Sequence, residues 1–131
     1  MRPYLIIVCL FLFASFSEVK SQPINQRVVD AMAKNDHEAL VSCLNPMVDL
    51  QIPGYSGNFS QSQASVILKK FLAGHRIDSV ILTKEGTNSD GSRYALGDLI
   101  TGGKKYRLYF VTRNTDGKER VLVLKITAFE P

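Results

Sequence analysis

Apolar and polar residues alternate along three consecutive runs near the end of the chain, positions 93–101, 104–113 and 118–129. A period of two is the mark of a strand with one buried face. Gly102-Gly103 separates the first pair of runs and Thr115-Asp116-Gly117 the second. Glycine-bearing connections this short predict hairpins, so the three runs predict an antiparallel meander. Two earlier stretches carry the same signal. In positions 47–52, Val48, Leu50 and Ile52 alternate with Asp49 and Gln51. In positions 77–84, Val80 and Leu82 share one face, and Ile81 and Thr83 the other. Pro53-Gly54 opens a turn, after which positions 55–59 predict a short returning arm.

A helical period organises the rest. Over positions 23–34, Ile24, Val28, Ala31 and Met32 fall on one face, with Pro23 at the start, where its missing N–H costs nothing. Asn35-Asp36 ends this helix. Asn35 with Glu38 predicts a side-chain cap for a second helix over 36–44, presenting Ala39, Leu40, Cys43 and Leu44. Asn45-Pro46 stops it. The third helix spans 60–73. Ser60 and Gln63 form a capping box, Ala64, Ile67, Leu68 and Phe71 form the stripe, and Gly74 closes it.

Register gives the sheet two distinct faces. A two-residue turn at Gly102-Gly103 puts Leu99 opposite Tyr106, Gly97 opposite Leu108 and Ala95 opposite Phe110. On the other face it puts Asp98 opposite Arg107, Leu96 opposite Tyr109 and Tyr94 opposite Val111. A three-residue loop at 115–117 then predicts Phe110 beside Leu122, Leu108 beside Leu124 and Tyr106 beside Ile126. The inner face is apolar, with small residues where a helix could come close, and its one clear polar group is the Tyr106 hydroxyl. Tyr106, Phe110, Leu108, Leu99 and Phe71 are therefore the ligand-pocket candidates. The outer face carries Tyr94, Leu96, Tyr109, Val111, Val121 and Val123, bordered by Asp98, Arg107 and Lys125. Antiparallel sheets normally show water a more polar face than this, so the six are candidates for a homodimer interface.

The N-terminus changes the domain picture. Met1-Arg2 precedes an apolar run at positions 5–16, the length of a signal-peptide core and too short to span a bilayer. Cleavage after Ser21, or alternatively after Ser17, leaves one α+β domain over residues 22–131, with no membrane span, in the periplasm or outside the cell. About 110 residues suffice for a hydrophobic core. Cys9 leaves with the leader. Cys43 is then alone, which excludes an intrachain disulfide and predicts a buried, inert thiol. The whole chain carries +4, too mild to imply nucleic acid.

Candidate chemistry is sparse. Asp98 is the natural first choice for a catalytic acid, but its register sends it outward against Arg107, an exposed ion pair. Acid–base catalysis needs a pair of titratable groups in one pocket, and none is evident. Asp49 sits on the polar face of its strand. His37 and His75 lack metal-ligand spacing, and His75 has no evident partner. No catalytic residue, metal or cofactor is assigned. The sequence points to a non-catalytic module that binds a small apolar ligand or a partner protein. The alternative is a small isomerase or hydrolase using Tyr106 with a carboxylate.

The element order, with positions 35–44, Phe59-Ser60-Gln61-Ser62-Gln63-Ala64, Phe71, Arg93-Tyr94-Ala95-Leu96-Gly97 and Lys105-Tyr106-Arg107-Leu108-Tyr109-Phe110, resembles a known family. It looks like the exported bacterial family called domain of unknown function 4783, within the nuclear-transport-factor-two-like superfamily. The resemblance implies a cone-shaped, strongly curved antiparallel sheet wrapped on three helices. It brings no catalytic residue with it. The wider superfamily includes isomerases, dehydratases and epoxide hydrolases, whose pocket carboxylates have no clear counterpart here.

Overall fold

The structure, a computed structural model, describes residues 22–129; the leader expected at 1–21 lies outside them. Helix α1, Ile24–Ala33, follows Pro23 and buries Ile24, Val28, Ala31 and Met32, the face its period predicts. The chain leaves it through Asn35, whose φ of 55° lies in the left-handed region that asparagine tolerates. Helix α2, His37–Ser42, is capped by Asp36, whose carboxylate accepts a hydrogen bond from the Ala39 amide at 3.1 Å. Asn35 is not the cap that the sequence suggested. Its side chain reaches across to Ile77 instead, accepting from the Ile77 amide at 2.7 Å and donating to the Ile77 carbonyl at 3.1 Å. Helix α3, Gln61–Gly74, has the predicted capping box, with Ser60 and Gln63 each satisfying the other's backbone N–H.

Six strands form one curved, unclosed sheet. They are β1 (Leu44–Ile52), β2 (Tyr55–Ser60), β3 (Ile77–Thr87), β4 (Arg93–Thr101), β5 (Lys104–Thr115) and β6 (Lys118–Ala128). Their order is β2-β1-β6-β5-β4-β3. All neighbours are antiparallel except β1 and β6, which run parallel, so the all-antiparallel expectation is corrected at that seam. β1 begins at Leu44 rather than Met47, and Pro46 falls in a stretch where the β1–β6 register shifts, one of the few places a sheet accepts proline.

The first hairpin has the predicted register at every pair from Thr101 opposite Lys104 to Tyr94 opposite Val111. The second does not. Thr115 pairs with Lys118, and the turn holds two residues, Asp116 and Gly117, with φ of 54° and 81°. Positive φ at both positions is what a tight hairpin turn of this twist requires. A bulge then restores the phase. Thr112 pairs with Val121 and Val111 with Val123, leaving Leu122 as the extra residue. Phe110 thus lies opposite Leu124, Leu108 opposite Ile126, and Tyr106 opposite Ala128. Val121 faces the core at 0% exposure, so it is withdrawn from the outer face. Lys125 stays outside, opposite Tyr109.

The helices lie on the concave side of the sheet, and one hydrophobic cluster joins all three to its inner face. α1 runs against β3, where Asn25 donates to Glu85 at 2.6 Å. α3 packs on β1 and β2, and Gln61 donates to the Leu44 carbonyl at 2.7 Å. Gly97 has a different reason from the helix approach expected for it. A Cβ there would sit 2.5 Å from the backbone oxygen of Ile81, so the glycine admits β3, which is bulged between Leu82 and Lys84.

Candidate functional site

The five residues read as pocket candidates lie in the hydrophobic core. Leu99, Leu108 and Phe110 are fully buried, and Phe71 and Tyr106 nearly so, all within the core cluster. Tyr106 meets an aromatic pair that sequence reasoning missed. His75 stacks on Phe71 with ring centroids 4.5 Å apart and stands edge-on to Tyr106 at 5.9 Å. Its Nδ1 lies 3.1 Å from the Phe71 carbonyl oxygen at the end of α3. The spacing of four residues between Phe71 and His75 was the available signal, because a helix brings such positions onto one face.

Neither carboxylate considered as a partner for Tyr106 shares its face. Asp98 belongs to the opposite face and pairs with Lys105 at 3.5 Å, not with Arg107 as expected from direct register. Lys105 is the diagonal neighbour, within reach of a long side chain. The Arg107 guanidinium instead lies over the Phe129 ring at 5.3 Å, beside Lys105 at 4.9 Å. Asp49 is exposed on β1. Among the described residues, no group of three or more His, Cys, Asp and Glu side chains could hold a metal ion.

Space opens elsewhere. A groove of about 1150 Å³ lies where the start of α1 faces the ends of β3 to β6. Its walls include Arg27, Glu85, Arg93, Lys118, Glu119 and Arg120, and none of the five apolar candidates. Arg93 and Glu119 form a loose ion pair at 3.8 Å. Glu85 is held by the Asn25 amide. A smaller recess of about 240 Å³ shares Arg93, Asn114 and Glu119 with the groove and is lined in addition by Thr112. Thr112 is 1% exposed, and its hydroxyl has no hydrogen-bond partner among the described residues. It stands at the β5–β6 bulge. At the rim, Asp90 accepts from the Ser92 hydroxyl at 2.6 Å and from Arg113 at 2.7 Å. The Ser92 hydroxyl and amide, with a smaller contribution from Arg113, hold the Asp90 carboxyl below the usual carboxylate range.

The groove was not legible in the sequence. Its charges come one or two at a time from separate elements, and each alone reads as a solvated surface position. Only the curvature of the sheet gathers them.

On the outer face, Tyr94, Leu96, Tyr109, Val111 and Val123 stand together, half-buried by one another. The Tyr94 ring lies across Gly86, where a Cβ would come within 2.6 Å of it. Ile81, paired with Asp98 and 62% exposed, extends the apolar area. The Lys125 ammonium lies 5.8 Å from the Tyr109 ring centroid.

No helix among the described residues is long and apolar enough to cross a membrane. Comparison with curated proteins finds no match. Comparison with solved structures finds several. A DUF4783 family protein from Bacteroides uniformis ATCC 8492 superimposes with a TM-score of 0.76 at 21% identity, covering 83% of this chain and 100% of that one. A putative calcium/calmodulin dependent protein kinase II association domain from Xanthomonas campestris gives 0.64 at 14% identity, covering 87% and 96%. An NTF2-like protein of unknown function from Cytophaga hutchinsonii ATCC 33406 gives 0.58 at 11% identity, covering 87% and 94%. At these identities the likenesses establish the fold, which is NTF2-like. Residues 25–127 match a family described as Domain of unknown function (DUF4783), and with most of its length inside that match the chain belongs to this family.

Proposed function

We propose that the protein is an exported, non-catalytic binding module whose ligand sits in the groove on the concave side of the sheet. The carrying observation is the groove itself, about 1150 Å³ with charged walls drawn from α1, β3, β4 and β6. Ligand sites are typically concavities of this scale with a few convergent polar groups. Export rests on the basic start and the apolar run at positions 5–16. A small apolar ligand among Tyr106, Phe110, Leu108, Leu99 and Phe71 has less support, because these side chains pack against one another in the core. The enzymatic alternative has less still, since Asp98 lies on the opposite face from Tyr106 and Asp49 is exposed. A fragment library screened against the ¹⁵N-labelled domain tests the site. Shifts should cluster at Arg27, Glu85, Arg93 and Glu119. Hits confined to Phe71, Tyr106 and Phe110 would return the ligand to the core.

A second reading concerns assembly. We propose a homodimer through the outer face, on the observation that Tyr94, Leu96, Tyr109, Val111 and Val123 form a continuous apolar surface with Ile81 exposed beside it. Surfaces of this kind on soluble proteins mark interaction sites. The similar Xanthomonas campestris protein is named an association domain, which agrees with this use of the fold. Light scattering should give a dimer mass for the wild type and a monomer mass for Tyr109→Asp and Val123→Lys. A monomeric wild type ends the idea.

A further inference from the structure

We infer that the recess shared by Arg93 and Thr112 is a subsite for the anionic group of the ligand, a carboxylate or phosphate on a small molecule; this rests on the groove being the binding site. Three observations point the same way. The first is charge. Arg27, Arg93, Lys118 and Arg120 line the groove against only Glu85 and Glu119. Glu85 accepts a hydrogen bond from the Asn25 amide, and Glu119 contacts Arg93 only at 3.8 Å, so the four cations outnumber the two carboxylates. A cleft with an excess of one sign concentrates ions of the other.

The second is the state of Arg93. Its contact with Glu119 is 3.8 Å, longer than the roughly 2.7–2.9 Å of a charge-assisted hydrogen bond. A guanidinium carries five N–H donors in a planar fork, so a loose contact through Nη1 leaves most of the fork for an incoming oxyanion. Arg93 lines both the groove and the recess, where one end of a ligand could lie in each.

The third is Thr112. A buried hydroxyl with no partner costs about 1–3 kcal/mol, and such groups are rare in native folds. This one borders the recess beside Arg93. The hydroxyl is turned away from solvent, and an oxyanion in the recess would accept from it once the Thr112 side chain rotates toward the recess. At about 240 Å³ the recess is far larger than the roughly 10–15 Å³ that admits a single water, so a carboxylate or phosphate group fits. Its other walls are Gly91, Arg113, Asn114 and Glu119; Arg113 is held by Asp90 at 2.7 Å, and the Glu119 carboxylate is the acidic group an incoming anion would have to displace from Arg93.

The test is a titration of the folded domain with succinate and with inorganic phosphate, beside the uncharged succinamide, followed by ¹⁵N NMR and calorimetry. Both anions should shift the Arg93 side-chain and Thr112 amide signals, with affinity falling as salt rises. Arg93→Gln should weaken anion binding by about tenfold or more, the scale of a hydrogen bond to a charged group. Thr112→Val should weaken it a few-fold while leaving thermal stability equal or higher. The control Lys69→Gln, on the polar face of α3, should bind as the wild type does. Arg93→Lys serves if Arg93→Gln does not fold. It keeps the charge but loses the fork, so it should also bind more weakly. Succinamide shifting the groove while neither anion does would overturn the anionic subsite and leave the groove standing. Silence from all three probes at millimolar concentrations would overturn both. Full-strength anion binding by Arg93→Gln would overturn the assignment of Arg93.

Discussion

Two glycines in neighbouring strands have different jobs. At Gly97 an added methyl would meet the Ile81 backbone oxygen at 2.5 Å and Leu82 Cδ2 at 3.1 Å. Backbone cannot swing aside, so Gly97→Ala should lose about 3 kcal/mol in urea unfolding. At Gly86 the methyl meets only the far end of the Tyr94 ring, which can rotate outward, and Gly86→Ala should cost nearer 1 kcal/mol. Equal losses would show that the β3 bulge relaxes freely. Cys43 offers a pH-dependent test at the same scale. Burial pushes its thiol up, and Arg27 nearby opposes this only in part. A raised folded pKa means stability that is full below the unfolded thiol value of about 8.5 and is lost as pH rises through the folded one. The stability advantage of the wild type over Cys43→Ala should therefore shrink as pH rises above about 8.5, and the native thiol should resist alkylation until urea is added. The burial of the thiol was legible from the helical period around Leu40 and Leu44. The inward turn of Val121 was not, because one extra residue in a strand flips every side chain beyond it.

At the scale of elements, capping chemistry and period located all three helices, and the missed details lie where a side chain chose a distant partner. Asn35 is the clearest case. A local cap and a long-range clasp use the same amide, and sequence spacing sees only the local one. The clasp joins the end of α1 to the start of β3 through both Ile77 backbone groups. Asn35→Ala should lose about 2–3 kcal/mol, combining two hydrogen bonds with the cost of a left-handed alanine. Asn35→Gly removes the conformational cost but not the bonds, and should fall between alanine and wild type in thermal unfolding. A glycine variant as stable as the wild type would mean that the clasp contributes nothing. The second hairpin was misread for a related reason. A three-residue loop and a two-residue turn followed by a bulge give the same inside–outside pattern from Leu124 onward and differ only between the turn and Leu122, so alternation over most of the strand fits both.

Over the whole molecule, the groove and the outer apolar face lie on opposite sides of one sheet. Arg93 and Thr112 share the concave face, while Tyr109 and Val123 share the convex one. Changes on opposite faces of a sheet that share no contact usually act independently, and Tyr109 and Arg93 stand on opposite faces. Tyr109→Asp should leave succinate affinity unchanged, and Arg93→Gln should leave the light-scattering mass unchanged. Coupling in either direction would mean that assembly reshapes the groove.

Alternation, helical period and turn residues determined the local states, the inner face of the β4–β5 hairpin and the fold class, because each depends on neighbours a few positions away. The parallel seam between β1 and β6, the bulge that turns Val121 inward, the Asn35 clasp and the groove depend on contacts between residues far apart in the chain. Those contacts were settled by sheet curvature and by the need to fill the core and pair every backbone group, which no single stretch of sequence encodes.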